Sequence, residues 1–186
     1  VVDGNGSVLD VSNAVILGSS GSTGTLTFQN GSTFNDILGT ITMVSGSTVG
    51  NTGRMNVLSG SSVNTANIRV GSLSTSLSAV QEATLTVSGA GSTLTQAGAS
   101  TLTVGDADNP NVVSTVNVTS NGTLNTGTGI TTIQNGGTVN VTDATFNANG
   151  PVVIDNGTLD VSTVTSTAFN LPVGETLTAS NGGFAE

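Results

Sequence analysis

Along residues 24–35, GTLTFQNGSTFN, apolar and polar positions alternate: Leu26 and Phe28 fall between Thr25, Thr27 and Gln29. A period of two is that of a strand buried on one side. Asn30-Gly31 follows, a pair that tolerates positive φ and so bends the chain, and Phe34 resumes the inward series. The phrase returns as GTITMVSGSTVG (39–50) and GRMNVLSGSSVN (53–64). These copies place Ile41, Met43 and Val49, then Met55, Val57 and Val63, at matching inward positions. Looser copies carry Leu85, Val87 and Leu94 around Gly91, and Val116, Val118 and Leu124 around Gly122. The pattern continues with Ile133 and Val139 around Gly136, and with Ile154 and Leu159 around Gly157.

Spacing turns the strands into a fold. Leu26, Met55, Leu85 and Val116 stand 29, 30 and 31 residues apart, while Ile41, Ile68, Leu102 and Ile133 form a second series at 27, 34 and 31. A motif at half the period of a longer one implies a coil with two similar faces, and repeats of 20–50 residues point to solenoids or propellers. Sandwiches also use Asn-Gly turns but lack a stacking register of this length. Propeller blades need longer repeats and aromatic signatures, whereas this chain has five Phe and neither Trp nor Tyr. The spacing therefore predicts an all-β, right-handed parallel β-helix of about six coils of roughly 30 residues, a rod of ~30 Å forming one domain over 1–186. Two segments interrupt the rhythm as loop insertions. LSTSLSAVQE (73–82) reads either as a short helix through Leu73, Leu77 and Val80 or as a polar loop, and GDADNPNV (105–112) reads as a loop closed by Pro110.

Units such as TLTVSGAGSTLTQAGASTLTVG (84–105) resemble the β-strand repeats of bacterial autotransporter passengers and related secreted surface proteins. The resemblance covers most of the chain. It implies a right-handed β-helix exported to the bacterial surface with adhesive or structural duty, and it brings no catalytic residues with it.

Composition narrows the chemistry. The chain has no Cys, His or Lys, so disulfides, imidazole bases and Schiff bases are unavailable. Arg54 and Arg69 are the only cations against 11 acidic residues, a formal charge of −9. Nucleic acid, which demands a basic footprint, is excluded as a partner, and an anionic membrane surface would repel the chain. No apolar run approaches the ~20 residues of a membrane helix, so membrane insertion is not expected.

Four candidate sites remain. Asp106, Asp108 and Asn109 in GDADNP offer oxygen ligands on one loop, which makes calcium the single candidate cofactor, although the segment lacks EF-hand spacing and also reads as an ordinary Asx turn. Asp155 and Asp160, with Asp143, resemble the carboxylate pairs of glycosidases, but the bend at Asn156-Gly157 tends to part them, and no His, Lys, Tyr or Trp is present to position a sugar. Thr-x-Thr pairs at 25–27, 40–42, 84–86, 93–95, 101–103 and 176–178 suggest a flat ice-binding face, which Arg54 and Arg69 would interrupt. Six Asn-x-Ser/Thr sequons begin at Asn5, Asn30, Asn117, Asn121, Asn140 and Asn156, a number that the composition alone accounts for.

The ends complete the sequence picture. VVDGNGSVLDVS (1–12) is echoed by VVIDNGTLDVS (152–162), aligning Asp10 with Asp160, and neither end carries a recognisable cap. A chain opening on Val1 is expected to be processed or part of something longer. The expected function is an extracellular, non-enzymatic structural protein, either a segment of a longer surface rod or a subunit that is its own partner, stacking head to tail into a filament, sheath or surface layer, with a monomer closed by short caps as the plain alternative. An adhesin that binds a glycan or other surface ligand is the alternative, with a polysaccharide-active enzyme and an ice-binding protein behind it.

Overall fold

The computed structural model describes residues 1–46, 48–72, 80–162 and 167–186. Its strands follow a coil of three beats. The first coil holds β1 (Val2–Asp3), β2 (Val8–Asp10) and β3 (Val15–Ser19). The second holds β4 (Thr23–Gln29) and β5 (Thr33–Ser45), a long strand that serves both later beats, and the third repeats this with β6 (Thr52–Leu58) and β7 (Ser62–Val70). From the fourth coil the long strand is divided: β8 (Gln81–Ser88), β9 (Thr93–Gln96) and β10 (Leu102–Val104). β11 (Val112–Thr119), β12 (Thr123–Asn125) and β13 (Thr131–Gln134) follow, then β14 (Gly137–Thr142), β15 (Thr145–Asn147) and β16 (Val152–Asp155). The last coil holds β17 (Thr158–Ser162), β18 (Ala168–Asn170) and β19 (Leu177–Ser180), and β20 (Phe184–Ala185) begins another layer over β17.

Every pairing between named strands is parallel and joins like beats of successive coils. The first beats form an eight-stranded sheet, β1-β4-β6-β8-β11-β14-β17-β20, and the other beats a twelve-stranded sheet. The chain is thus a parallel β-helix, as the repeat spacing requires. Six turns separate Val2 from Val161, in steps of 26, 29, 30, 31, 23 and 20 residues. The last two steps fall short of the expected 30 because their corners shrink. β13 and β14 are joined by two residues, as are β16 and β17, whereas the segments 71–80 and 105–111 widen earlier corners.

Inside, like stacks on like. Leu26, Met55, Leu85 and Val116 form one column, and Phe34, Val63, Leu94, Leu124 and Phe146 another; all but the half-buried Leu26 are fully buried. The third beat departs from the apolar series expected of it. Ile41, Ile68 and Leu102 do stack, but Thr131 lies over Leu102 while Ile133 lies over Val104. The corner before β13 is shorter by one residue, so the inward pair of that strand becomes Thr131 and Ile133. Val49 is likewise no core residue. It lies outside the strands and is 61% exposed, because the 39–50 copy belongs to the third beat and has no second inward strand to follow it.

The glycine bends serve two different corners. Asn30-Gly31 and Ser59-Gly60 turn the first beat into the second with positive φ, of 57° and 79°, then 52° and 78°. Asn135-Gly136 and Asn156-Gly157 instead turn the third beat into the next coil. After the first kind of corner stands a buried serine. Ser32 and Ser61 hydroxyls lie 3.3 Å apart, Ser32 Oγ donates to the Val2 carbonyl at 3.0 Å, and Gly60 N–H donates to Ser92 Oγ at 3.0 Å. The recurring Gly-Ser therefore supplies hydroxyls to backbone groups that the bend removes from the ladder.

The two interruptions are narrower than their sequence limits. Gln81 and Glu82 begin β8 and Val112 begins β11. Val80 is 55% exposed, which removes it from any buried helical stripe, and residues 73–79 lie outside the described residues. Pro110 is exposed, but the loop around it does not simply bulge: Asp106 and Asn109 are buried beneath it.

Candidate functional site

The surfaces that the fold leaves incomplete are its two ends. In the first coil β1, β2 and β3 pair on one side only, and in the last layers β18, β19 and β20 do the same. Nine apolar residues pack on the core while only half buried, and eight of them sit in the first or last coil. Val2, Leu9, Val11, Val15 and Leu17 line one end; Val161, Phe169 and Leu171 line the other. At the second of these, Val161 N–H donates to the Glu186 carbonyl at 2.7 Å and Glu186 N–H to the Leu159 carbonyl at 3.1 Å, so the chain past β20 continues to pair with β17.

Polar ladders on the outer surface run to the same ends. Beside the Phe34 column, Asn35 donates to Asp10 at 2.8 Å and Asn64 to Asn35 at 3.0 Å. Further along, Asn125 donates to Thr95 at 3.1 Å, Asn147 to Asn125 at 2.6 Å and Asn170 to Asn147 at 2.7 Å. Each side-chain amide donates toward the first coil, so the ladder has a direction. Asp10, an acceptor, ends it at one side and Asn170 at the other.

Asp3 closes the first coil in the same manner, accepting from Asn30 Nδ2 at 2.8 Å and Gln29 Nε2 at 3.1 Å. The Asn30 hydrogen bond, then that of Gln29, holds its carboxyl below the usual carboxylate value. A depressed folded value means that Asp3 stabilises the first coil above the unfolded carboxylate range and loses that contribution as pH falls through the folded value. Acid titration by NMR should therefore speed amide exchange in β1 and at Gln29 before the central coils respond. Asp3→Asn should remove this pH dependence.

The sequence-derived candidates are dispersed by the fold. Asp106 Oδ1 accepts the N–H groups of Asp108 at 3.0 Å and Asn109 at 3.3 Å, and Asn109 Oδ1 accepts that of Asn111 at 3.0 Å. These are successive Asx turns. Asp106 Oδ2 is buried without a hydrogen-bond partner among the described residues, while Asp108 is exposed. No group of three or more Asp or Glu stands together in metal-holding geometry among the described residues. Asp155 ends β16 in the twelve-stranded sheet, where Ser180 Oγ donates to it at 3.1 Å and Asn181 Nδ2 at 2.5 Å. Asp160 lies in β17 of the other sheet, accepting from Ser162 Oγ at 2.6 Å, and Asp143 sits at a positive-φ corner. The three carboxylates occupy separate strands and corners.

The threonine columns are interrupted where the cations fall. Thr25, Arg54, Thr84 and Thr115 stack in order, and Arg54 Nη2 meets Glu82 Oε2 at 3.1 Å. In the twelve-stranded sheet Thr42, Arg69 and Thr103 stack. An open groove of about 460 Å³ runs along these coils, lined by Ile16, Thr40, Thr42, Asn67, Arg69 and Thr103 among others. Arg69 Nε donates to the Ser72 carbonyl at 2.6 Å, and no carboxylate pairs with Arg69 among the described residues. Of the sequons, Asn117 and Asn140 form an outward rung, Asn140 Nδ2 donating to Asn117 Oδ1 at 3.0 Å.

The sequence echo between 1–12 and 152–162 is not a structural repeat. Asp10 lies in β2, a second beat, and Asp160 in β17, a first beat. Sequence reasoning also missed Asp36, buried in the bend of β5, where its Oδ1 accepts Gly39 N–H at 2.9 Å. Its only signal was an acidic residue interrupting an alternating run.

No family model, no curated protein and no solved structure matches this chain.

Proposed function

We propose that the chain is a structural, non-enzymatic building element of an extracellular bacterial rod, extended by stacking its ends on further copies into a filament, sheath or surface layer. One observation carries this reading. Like residues stack on like through successive coils in parallel register, so a further coil, of the same chain or of a copy, would continue the apolar columns. Burying such columns against another coil gains ~25 cal/mol per Å² of apolar surface and pairs the free backbone groups. The ends differ in sequence, so the contact is heterologous, and a heterologous contact that does not close extends into a filament. A sedimentation series should show mass rising with concentration beyond a dimer. A fixed monomer mass across the series would overturn the reading.

An adhesive role is the second reading, supported by the groove around Arg69. A guanidinium that meets no carboxylate among the described residues, flanked by Thr and Asn, suits an anionic surface polysaccharide. Arg69→Ala should abolish retention on such a polysaccharide, while Arg54→Ala, whose cation already faces Glu82, should leave it unchanged.

A further inference from the structure

Where the second beat turns into the third, the inward column changes from apolar to polar. Asp36, Thr65 and Gln96 lie over one another on successive coils, and Thr126 holds the next place, after Asn125. Asp36 and Thr65 are 0% exposed and Gln96 4%. Thr126 Oγ1 is satisfied, accepting Asn149 N–H at 3.2 Å. The other three each keep one oxygen, Asp36 Oδ2, Thr65 Oγ1 and Gln96 Oε1, without a hydrogen-bond partner among the described residues. Their neighbours fix which oxygen is left over. Asp36 Oδ1 accepts Gly39 N–H at 2.9 Å, in a corner where three residues separate Asp36 from Thr40 against one between Thr65 and Asn67. Gln96 Nε2 donates to the carbonyls of Ala66 at 2.9 Å and Thr101 at 2.8 Å, so its amide oxygen is the free atom. Two residues earlier on the same strands, the apolar column of Phe34, Val63 and Leu94 flanks these oxygens.

A carboxylate taken out of water needs a partner, either a cationic side chain or a metal ion. The chain's two cations are engaged elsewhere, Arg54 with Glu82 and Arg69 with the Ser72 carbonyl. We propose that this polar column is a cation site, holding a monovalent ion of sodium's size between the Asp36 and Thr65 rungs. Asp36 Oδ2 supplies the charge and Thr65 Oγ1 a lone pair, while the threonine hydroxyl turns its proton toward Gln96 Oε1. All three oxygens then have a use. The spacing fits such an ion. Stacked rungs stand about 4.8 Å apart, so an ion midway lies about 2.4 Å from an oxygen on each side. That is inside the range of roughly 2.3–2.6 Å over which calcium, nearly the same size as sodium, meets oxygen. Charge selects the valence. One positive charge neutralises Asp36, whereas calcium would bring a second that neither Thr65 nor Gln96 can balance.

Urea unfolding tests this at fixed ionic strength, with sodium chloride replaced stepwise by tetramethylammonium chloride, whose cation is too large for the column. An ion held only by the folded state lowers the unfolding constant about tenfold for each tenfold rise in sodium above its dissociation constant. Asp36→Asn keeps an acceptor for Gly39 N–H but removes the charge, and it should lose this dependence. Asp108→Asn makes the same charge change at an exposed side chain and should keep it. A second readout needs no variant. The Gly39 amide sits on the other oxygen of the Asp36 carboxyl, so its NMR resonance should move with added sodium and saturate, while that of Val141, three coils beyond Asp36, stays in place. If Asp36→Asn does not fold, this titration decides alone. A parent protein whose unfolding ignores sodium, or equal sodium slopes for the parent and Asp36→Asn, would overturn the site. So would a Gly39 resonance that does not respond, which would leave buried water as the occupant of the column.

Discussion

Gly53→Ala should lower the stability of the fold by ~3 kcal/mol or more, beyond the cost of ordinary overpacking. A Cβ built on Gly53 would stand 1.8 Å from the Met43 carbonyl oxygen and 2.4 Å from its carbon. Both are backbone atoms of β5, which cannot move aside without dragging its ladders to β3 and β7. The same squeeze recurs one coil earlier, where a Cβ on Gly24 would lie 1.8 Å from the Leu17 carbonyl oxygen. Gly24 and Gly53 stack on each other, and Leu17 and Met43 occupy the same beat, so the coil is pinched along one line. The next residue in that column is Ala83, whose methyl is accommodated and buried. Ala83→Gly should accordingly cost only about 1 kcal/mol. Urea unfolding followed by circular dichroism separates the two outcomes. Equal, small effects at Gly53 and Ala83 would mean that the pinch is not a constraint.

Phe34→Ala should be comparably damaging, at about 3–5 kcal/mol. Phe34 is fully buried, and its ring centroid lies 5.0 Å from that of Phe28 across the Asn30-Gly31 corner. Phe28 comes from the first beat and Phe34 from the second, so the ring pair ties two faces of one coil together. Phe34 also carries the half-buried Leu9 above it in the next layer outward. In a solenoid each coil leans only on its neighbours, so a void here unseats the first coil before the rest. Hydrogen exchange should show β2 and β3 losing protection while β11 and β14 retain theirs. Uniform loss in all coils would indicate a single cooperative unit instead.

Period-2 alternation identified the strands because burial on one side of a strand is written directly into the side chains. It carried the columns through Leu26, Met55, Leu85 and Val116, where strand and corner lengths offset one another and each coil takes 29, 30 or 31 residues. It failed where corners change length. Ile133 was matched to Leu102 because both are apolar, yet closure of a shorter corner puts Thr131 there. Val49 failed for a related reason. A Gly-Ser bend looks the same whether it leads to another inward strand or to an exposed turn, and only the three-beat coil distinguishes them. The serine ladder at Ser32, Ser61 and Ser92 was hidden by composition, since serine reads as polar and outward until the bend turns it in. The candidate calcium residues show the opposite case. Their spacing was visible, but Asp106 and Asn109 each spend an oxygen on neighbouring main-chain N–H groups, a commitment that linear spacing does not display.

What the ends do was legible only in outline. The repeat pointed to coils that continue one another, but which residues fall in one column depends on register, and register depends on corner lengths. The central claim is that these ends add coil to coil. Electron microscopy of negatively stained protein across a concentration series tests it most directly. The expected result is rods of constant width whose length grows with concentration, each copy adding about 30 Å. Uniform particles about 30 Å long at every concentration would contradict it.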